Sequence, residues 1–178
     1  MLASLSEFIT QFLPFRAVQE NQWGIRWTFG RLRKIVQGQM LWGIPFIQPL
    51  DVLDATWGAL FPSTQCLSTA DDRAIAIRIG LEWKIQDAKK FVLLIGENDS
   101  DEVIAVIIQS LVANVISKST LSDIITKQKS TETKITNQIA GIMEEYGILV
   151  KRAHIVECVP VFPIKVFANE KNTVVNNI

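Results

Sequence analysis

The sequence predicts an α+β domain with a mainly antiparallel sheet, because strand periods come first, helical periods follow and one strand ends the order. Hydrophobic residues alternate with polar ones over residues 22–29 and, most clearly, over 74–85, as in a strand with one face in water. Helical spacing takes over in residues 100–117 and 130–146, and residues 148–159 form the last predicted strand. The 178 residues suffice for one domain or two closely joined halves.

The first half of the chain predicts short strands separated by turns. Residues 22–36 predict a hairpin that turns at Gly30, since glycine tolerates the turn conformation. An apolar loop follows over residues 41–49, whose two prolines and one glycine exclude a regular helix or a central strand. This loop either packs under the sheet or enters an apolar environment outside the domain. Further strand pieces are expected at residues 54–60 and 63–68.

The second half predicts helices with recognisable ends. Asp87 is expected to cap a short helix through its side chain. Residues 100–117 are apolar on most sides and predict the central buried helix, with one further helical turn at residues 120–125. Gly147 is expected to end the last helix, and Pro160 is expected to interrupt the last strand.

Composition excludes several classes of function. Lys and Arg total 18, as do Asp and Glu, and a dedicated nucleic-acid binder needs a surplus of positive charge, so nucleic acid is not an expected partner. No stretch approaches the roughly 20 apolar residues of a membrane-spanning helix, and the first residues lack the basic start of a secretory signal. Cys66 and Cys158 lack metal-ligand spacing and predict small buried residues in a reducing compartment.

Catalytic chemistry has few candidate residues. Three carboxylate pairs and one histidine could serve in acid–base chemistry: Asp71 and Asp72, Asp51 and Asp54, Glu144 and Glu145, and His154. Asp71 and Asp72 lie in an apparent turn, and Glu144 and Glu145 lie on a polar helix face. We expect the carboxylates to be solvated, and we expect a structural role for the histidine. Glycine loops that hold phosphate and nucleophile turns are missing. The sequence therefore predicts a protein that is not an enzyme and uses no cofactor and no metal.

The N-terminus predicts a short amphipathic helix that ends at Pro14. Its apolar side is formed by Leu2, Leu5, Phe8, Ile9, Phe12 and Leu13. Such a helix either lies in a bilayer interface or docks on its own core or on a neighbouring subunit.

Two further features of the first fifty residues favour contact with a membrane surface. Arg31, Arg33 and Lys34 form a basic turn, which alone predicts an ordinary solvated turn but can also meet lipid headgroups. Trp42, Ile44 and Phe46 lie in the apolar loop. Since two weak anchors together give stable attachment where one does not, the three features together predict peripheral membrane attachment.

Six short motifs follow one another along the chain. The first, at residues 18–31, is V-Q-E-N-Q-W-G-I-R-W-T-F-G-R, and the last, at 144–150, is E-E-Y-G-I-L-V. The other four lie at residues 38–49, 67–71, 74–89 and 115–125. In this order, and over about residues 18–160, the motifs resemble the SPFH or band 7 domain of stomatins, prohibitins and flotillins.

The resemblance implies an SPFH-like α+β fold over residues 17–167, in two sub-parts of about 17–62 and 63–167, between an amphipathic segment at 1–16 and a polar tail at 168–178. It implies a non-enzymatic homo-oligomeric scaffold, peripherally attached to the cytoplasmic face of a membrane. Such a scaffold organises membrane patches or partner proteins, with membrane proteases or channels as candidates. The alternative is a structural subunit of a larger protein or viral assembly, whose N-terminal segment docks on a neighbouring subunit.

Overall fold

The computed structural model describes residues 14–44, 46–96 and 100–161. The strands are β1 Phe15–Ala17, β2 Gln22–Thr28, β3 Arg31–Gln37, β4 Met40–Trp42, β5 Leu50–Asp54, β6 Gly58–Leu60, β7 Gln65–Ser68, β8 Ala74–Ile85 and β9 Ile148–Val161. The helices are α1 Ala88–Leu94, α2 Ser100–Ile116, α3 Leu121–Thr126 and α4 Gln128–Met143, and a 3₁₀ turn covers Glu144–Tyr146. Strands, helices and a final strand in this order confirm the predicted α+β fold with antiparallel sheets.

The first half of the chain forms a small antiparallel unit. Strand β2 lies between β3 and β5, and a separate ribbon pairs β1 with β4. Gly24 of β2 has no room for a side chain, because a Cβ there would run into Val18 and come within 3.3 Å of Leu41. With Val36, these two residues form a small buried cluster between the sheet and the ribbon. The ribbon therefore packs tightly on one face of the sheet.

The predicted hairpin of β2 and β3 is confirmed. Its turn contains Phe29 in addition to the predicted Gly30. Phe29 was expected on the strand face with Trp23, yet it occupies the turn with Gly30, at φ 50° and 71° respectively. Two consecutive positive φ values are those of the type I′ turn that matches the twist of paired strands. As a result Phe29 is 82% exposed at the hairpin tip.

The second half is built on one long strand. Strand β8 pairs along its whole length with β9, and its other edge pairs with β7 and then with β6. Ile75, Ile77 and Leu81 point to the face that the helices cover, as the alternating pattern predicts. The largest fully buried side chains of this half are Phe91, Ile75, Ile77, Leu81, Ile104, Ile108, Ile116, Ile124, Ile135 and Ile139.

Helix α4 closes the outer edge of β9. The Thr136 hydroxyl accepts a hydrogen bond from the Ala153 amide (2.9 Å), and the Glu132 carboxylate accepts one from the Ile155 amide (2.9 Å). These bonds occupy donors that an open edge would offer to another strand. Pro160 was predicted to interrupt β9, and this prediction is wrong. Pro160 lies within the strand, opposite Ile75, at an edge position that proline tolerates.

Side-chain hydrogen bonds fix two turns of the second unit, one before β8 and one before α1. Asp71, in the turn before β8, accepts bonds from the Thr69 hydroxyl (2.6 Å) and from the Leu121 amide (3.0 Å). These two donors hold the pKa of the Asp71 carboxyl below its usual range. Asp87 caps α1 as predicted, accepting from the amides of Lys89 and Lys90.

Helix α2 is a core helix as predicted, with Ile104, Ile108, Leu111, Val112 and Val115 buried, although Val106 on its other side is 60% exposed. Two further expectations from the sequence are wrong. Strand β5 ends at Asp54 rather than beginning there. Cys66 is exposed rather than buried, because its register partner Ala76 lies on the sheet face away from the helices. Cys158 is half-buried, and burial raises the pKa of its thiol.

No helix within residues 14–44, 46–96 and 100–161 is long and apolar enough to cross a bilayer.

Candidate functional site

One group of exposed apolar side chains lies on β1, β4 and the loop that follows β4. Phe46 is 88% exposed, Trp42 58% and Ile44 57%. We define the apolar rim as these residues and their exposed neighbours on the same segments: Phe15, Met40, Trp42, Ile44, Phe46 and Ile47. An exposed apolar cluster of this kind is typical of a surface that contacts a partner or a membrane.

Strand β4 explains why Trp42 faces outward. Alternate residues of a strand point to opposite sides, and Leu41 fills the buried cluster beside Gly24. Met40 and Trp42 therefore point away from the core, and the ring of Trp42 packs at 5.3 Å on that of Phe15. The sequence left open whether this loop is packed or exposed; in the structure it is exposed.

Hydrogen bonds hold the loop in a defined shape. Gln48 closes a turn on Ile44, donating its amide to the Ile44 carbonyl (2.8 Å) and accepting the Ile44 amide on its side chain (3.1 Å). Gly43 lies so close to Leu50 that a Cβ would come within 2.8 Å of its side chain. The Arg26 guanidinium donates to the Trp42 carbonyl (3.1 Å). The apolar rim is thus presented by an ordered loop.

The segment that precedes β1 joins the fold at the rim. The Pro14 carbonyl accepts a hydrogen bond from the Gly43 amide (2.8 Å). The predicted amphipathic residues Leu2, Leu5, Phe8, Ile9, Phe12 and Leu13 lie outside the described residues.

The basic residues predicted to form a turn belong to a strand. Arg31, Arg33 and Lys34 are all in β3 and all exposed, because the turn is made by the two residues before them. Lys34 lies opposite Arg26, and Arg31 lies opposite Thr28. Register partners share a face of the sheet. Gly24, Arg26 and Thr28 alternate along β2 and so lie on one face, and Gly24 contacts the ribbon on that face. Arg31 and Lys34 are therefore on the side of the sheet that carries β4 and the rim.

The carboxylates considered for catalysis have structural partners or lie in solvent. Asp51 accepts from the Trp27 indole (2.7 Å) and Asp54 from the Gln22 amide group (3.2 Å). Asp71 holds the turn described above, and Asp72, Glu144 and Glu145 are exposed.

His154 packs against the ring of Phe61, with ring centroids 6.3 Å apart. It lies opposite Gly80, where a Cβ would come within 2.6 Å of its ring. The described residues place no acid–base partner beside it. Within the described ranges, no three His, Cys, Asp or Glu residues are grouped as metal ligands would be.

Several residues of this surface were not predicted from the sequence. Phe15, Met40 and Ile47 complete the rim, and Arg26 lies beside it. Phe15 and Met40 could not be found from local patterns, because they join the surface only through the pairing of β1 with β4. Ile47 belonged to the predicted apolar loop but was not singled out.

Comparison with known proteins gives one positive result. The model of the SPFH domain / Band 7 family matches residues 16–160, which is more than half of the chain. This match covers both the small first unit and the long sheet with its helices. No curated protein matches the sequence.

Proposed function

The chain belongs to the SPFH domain / Band 7 family, and from this premise we propose that it is a non-enzymatic scaffold that attaches peripherally to the cytoplasmic face of a membrane and assembles with copies of itself. In this proposal the assembled scaffold organises membrane patches or partner proteins, with membrane proteases or channels as candidate partners. The family as a whole consists of membrane-associated scaffold proteins, and this general character is the starting point.

The observation that carries the proposal is the apolar rim. Trp42, Ile44 and Phe46 are each more than half exposed, on a loop that is held in shape by hydrogen bonds. Amphipathic residues such as Trp are favoured at the boundary of headgroups and acyl chains. A bilayer interface would remove these side chains from water without any change in the fold.

Energetics favour attachment by several contacts rather than one. Full burial of a large apolar side chain is worth about 1.5–3 kcal/mol, so the rim of a single chain binds a membrane only weakly. Residues 1–13, with their predicted apolar face, join the fold at Pro14 beside the rim and supply a second anchor in the proposal. Assembly then multiplies the effect, because linked weak sites bind with an effective concentration that single sites lack.

Vesicle binding of the full chain tests the proposal. We expect the chain to sediment with vesicles of phosphatidylcholine and phosphatidylserine and to stay in the supernatant without them. Light scattering at rising protein concentration should give masses above the 20.0 kDa of one chain.

A chain that never sediments with vesicles would contradict membrane attachment. A mass that stays at one chain at every concentration would contradict the scaffold. Assembly without vesicle binding would instead support a structural subunit whose rim and N-terminal segment contact another protein.

A further inference from the structure

The unit that carries the rim has a small surplus of positive charge. Residues 14–54 contain five Lys and Arg residues and three acidic residues, Glu20, Asp51 and Asp54, although the whole chain is balanced at 18 and 18. Glu20 contacts Gly38 at the turn between β3 and β4, so it belongs to the end of the sheet away from Arg31. Asp54 pairs with Gln22 at the same far end, and Asp51 lies opposite Ile25, on the face of the sheet away from Arg26. The face that carries the rim is therefore cationic at the hairpin end.

The placement of these charges follows from the strand register. We define the basic flank as Arg26, Arg31, Arg33 and Lys34. Arg26 donates to the Trp42 carbonyl, which ties the flank to the rim. Arg31 and Lys34 share its face of the sheet, and Arg33 lies between them where the register shifts. Cations and exposed apolar side chains thus lie side by side on one surface.

Four basic residues have acidic ion-pair partners within the described ranges, and none of the four belongs to the basic flank. The ion pairs among the described residues are all in the second unit: Arg73 with Asp71, Lys127 with Asp123, and Lys151 and Arg152 with Glu82. No residue of the flank makes such a pair within the described ranges. Arg31, Arg33 and Lys34 are also exposed. Their charges are therefore available to an external anion.

We propose that the basic flank selects anionic lipid headgroups, so that the rim enters bilayers that carry negative surface charge in preference to neutral ones. The proposal rests on the membrane attachment proposed above and adds the class of lipid. The occupant is a lipid surface rather than a soluble phosphate, because the cations are spread along an open strand and do not converge on a pocket. The adjacent rim gives the same surface an apolar contact that a bilayer can fill and a soluble phosphate cannot.

The expected size of the effect comes from membrane electrostatics. Each Lys or Arg close to an anionic leaflet strengthens binding by roughly fivefold. Three such charges together strengthen membrane binding by roughly a hundredfold. This gain falls as salt screens the charge of the membrane surface.

Partitioning of the full chain onto two kinds of vesicle tests the inference. One set contains phosphatidylcholine alone, and the other contains phosphatidylcholine with phosphatidylserine. We expect at least about tenfold tighter binding to the second set at low salt, and a smaller difference at high salt. The variant R31E/R33E/K34E should lose this preference and keep its binding to neutral vesicles.

The matched control is K118E/K129E/K134E, which reverses three exposed lysines of the second unit and changes the net charge by the same amount. It should keep the preference for phosphatidylserine. Equal binding of the unaltered chain to both vesicles, or equal losses in both variants, would overturn the inference while leaving membrane attachment intact. Competition by inorganic phosphate at constant ionic strength would overturn it in favour of a soluble anion. Failure to bind either vesicle would instead contradict the proposed function.

Discussion

A chain with Trp42, Ile44 and Phe46 all replaced by serine is expected to lose vesicle binding by about a hundredfold or more. Each replacement removes a large apolar side chain worth about 1–2 kcal/mol at a partly buried interface, and the three contributions act together. Stability should change little, because all three side chains are more than half exposed in the structure. Co-sedimentation with phosphatidylcholine and phosphatidylserine vesicles measures the loss, and thermal unfolding checks the fold.

A matched control is available in the second unit. Leu93, Leu94 and Val106 are 57%, 58% and 60% exposed on α1 and α2, so their replacement by serine removes three exposed apolar side chains at another place on the molecule. This variant should bind vesicles like the unaltered chain. If the two triple variants lost binding equally, attachment would depend on general hydrophobicity and the rim would have no special role.

The replacement of Gly147 by valine is expected to lower the free energy of unfolding by about 3 kcal/mol or more. Gly147 has φ 77°, a value that a β-branched residue avoids. A Cβ there would run into the Asp87 carbonyl and approach the Lys90 side chain to 3.0 Å. The Gly147 carbonyl also accepts from the amides of Gln86 and Asp87 (2.9 and 3.0 Å). A side chain would therefore force apart the end of the last helix and the start of α1.

Thermal or urea unfolding measures this effect. For a domain of this size, 3 kcal/mol corresponds to a fall of about 6–12 °C in Tm. Gly141 provides the control, since it lies in α4 with open space around its Cα, and alanine there should raise stability by about 0.5–1 kcal/mol. An unchanged Tm for G147V would contradict the close contact between Gly147 and Asp87.

The sequence predicts the elements whose patterns are local. Strand β8 follows from strict alternation over residues 74–85, and its inward face is the buried one. The cap of Asp87 and the left-handed Gly147 follow from side-chain and backbone chemistry within a few residues. The two longest helices, α2 and α4, begin and end within a few residues of the predicted positions.

Features that depend on distant partners were not predictable from local patterns. The exposure of Trp42 is decided by Leu41, which fills the small cluster with Val18 and Val36, and that cluster exists only after β1 pairs with β4. Val106 lies on a helix that is apolar on most sides, and only the position of the sheet decides which side is buried. For the same reason the sequence could not place the basic residues beside the rim.

The most direct test of the central claim is a fluorescent label on the rim itself. An environment-sensitive dye is attached to cysteine at position 44, after replacement of Cys66 by serine and Cys158 by alanine. With phosphatidylcholine and phosphatidylserine vesicles, the dye at position 44 should brighten and shift to shorter wavelength. The same dye at position 106, on the exposed side of α2, should not change. An unchanged signal at position 44 while the chain is bound to vesicles would contradict the claim that the rim is the part of the molecule that enters the membrane.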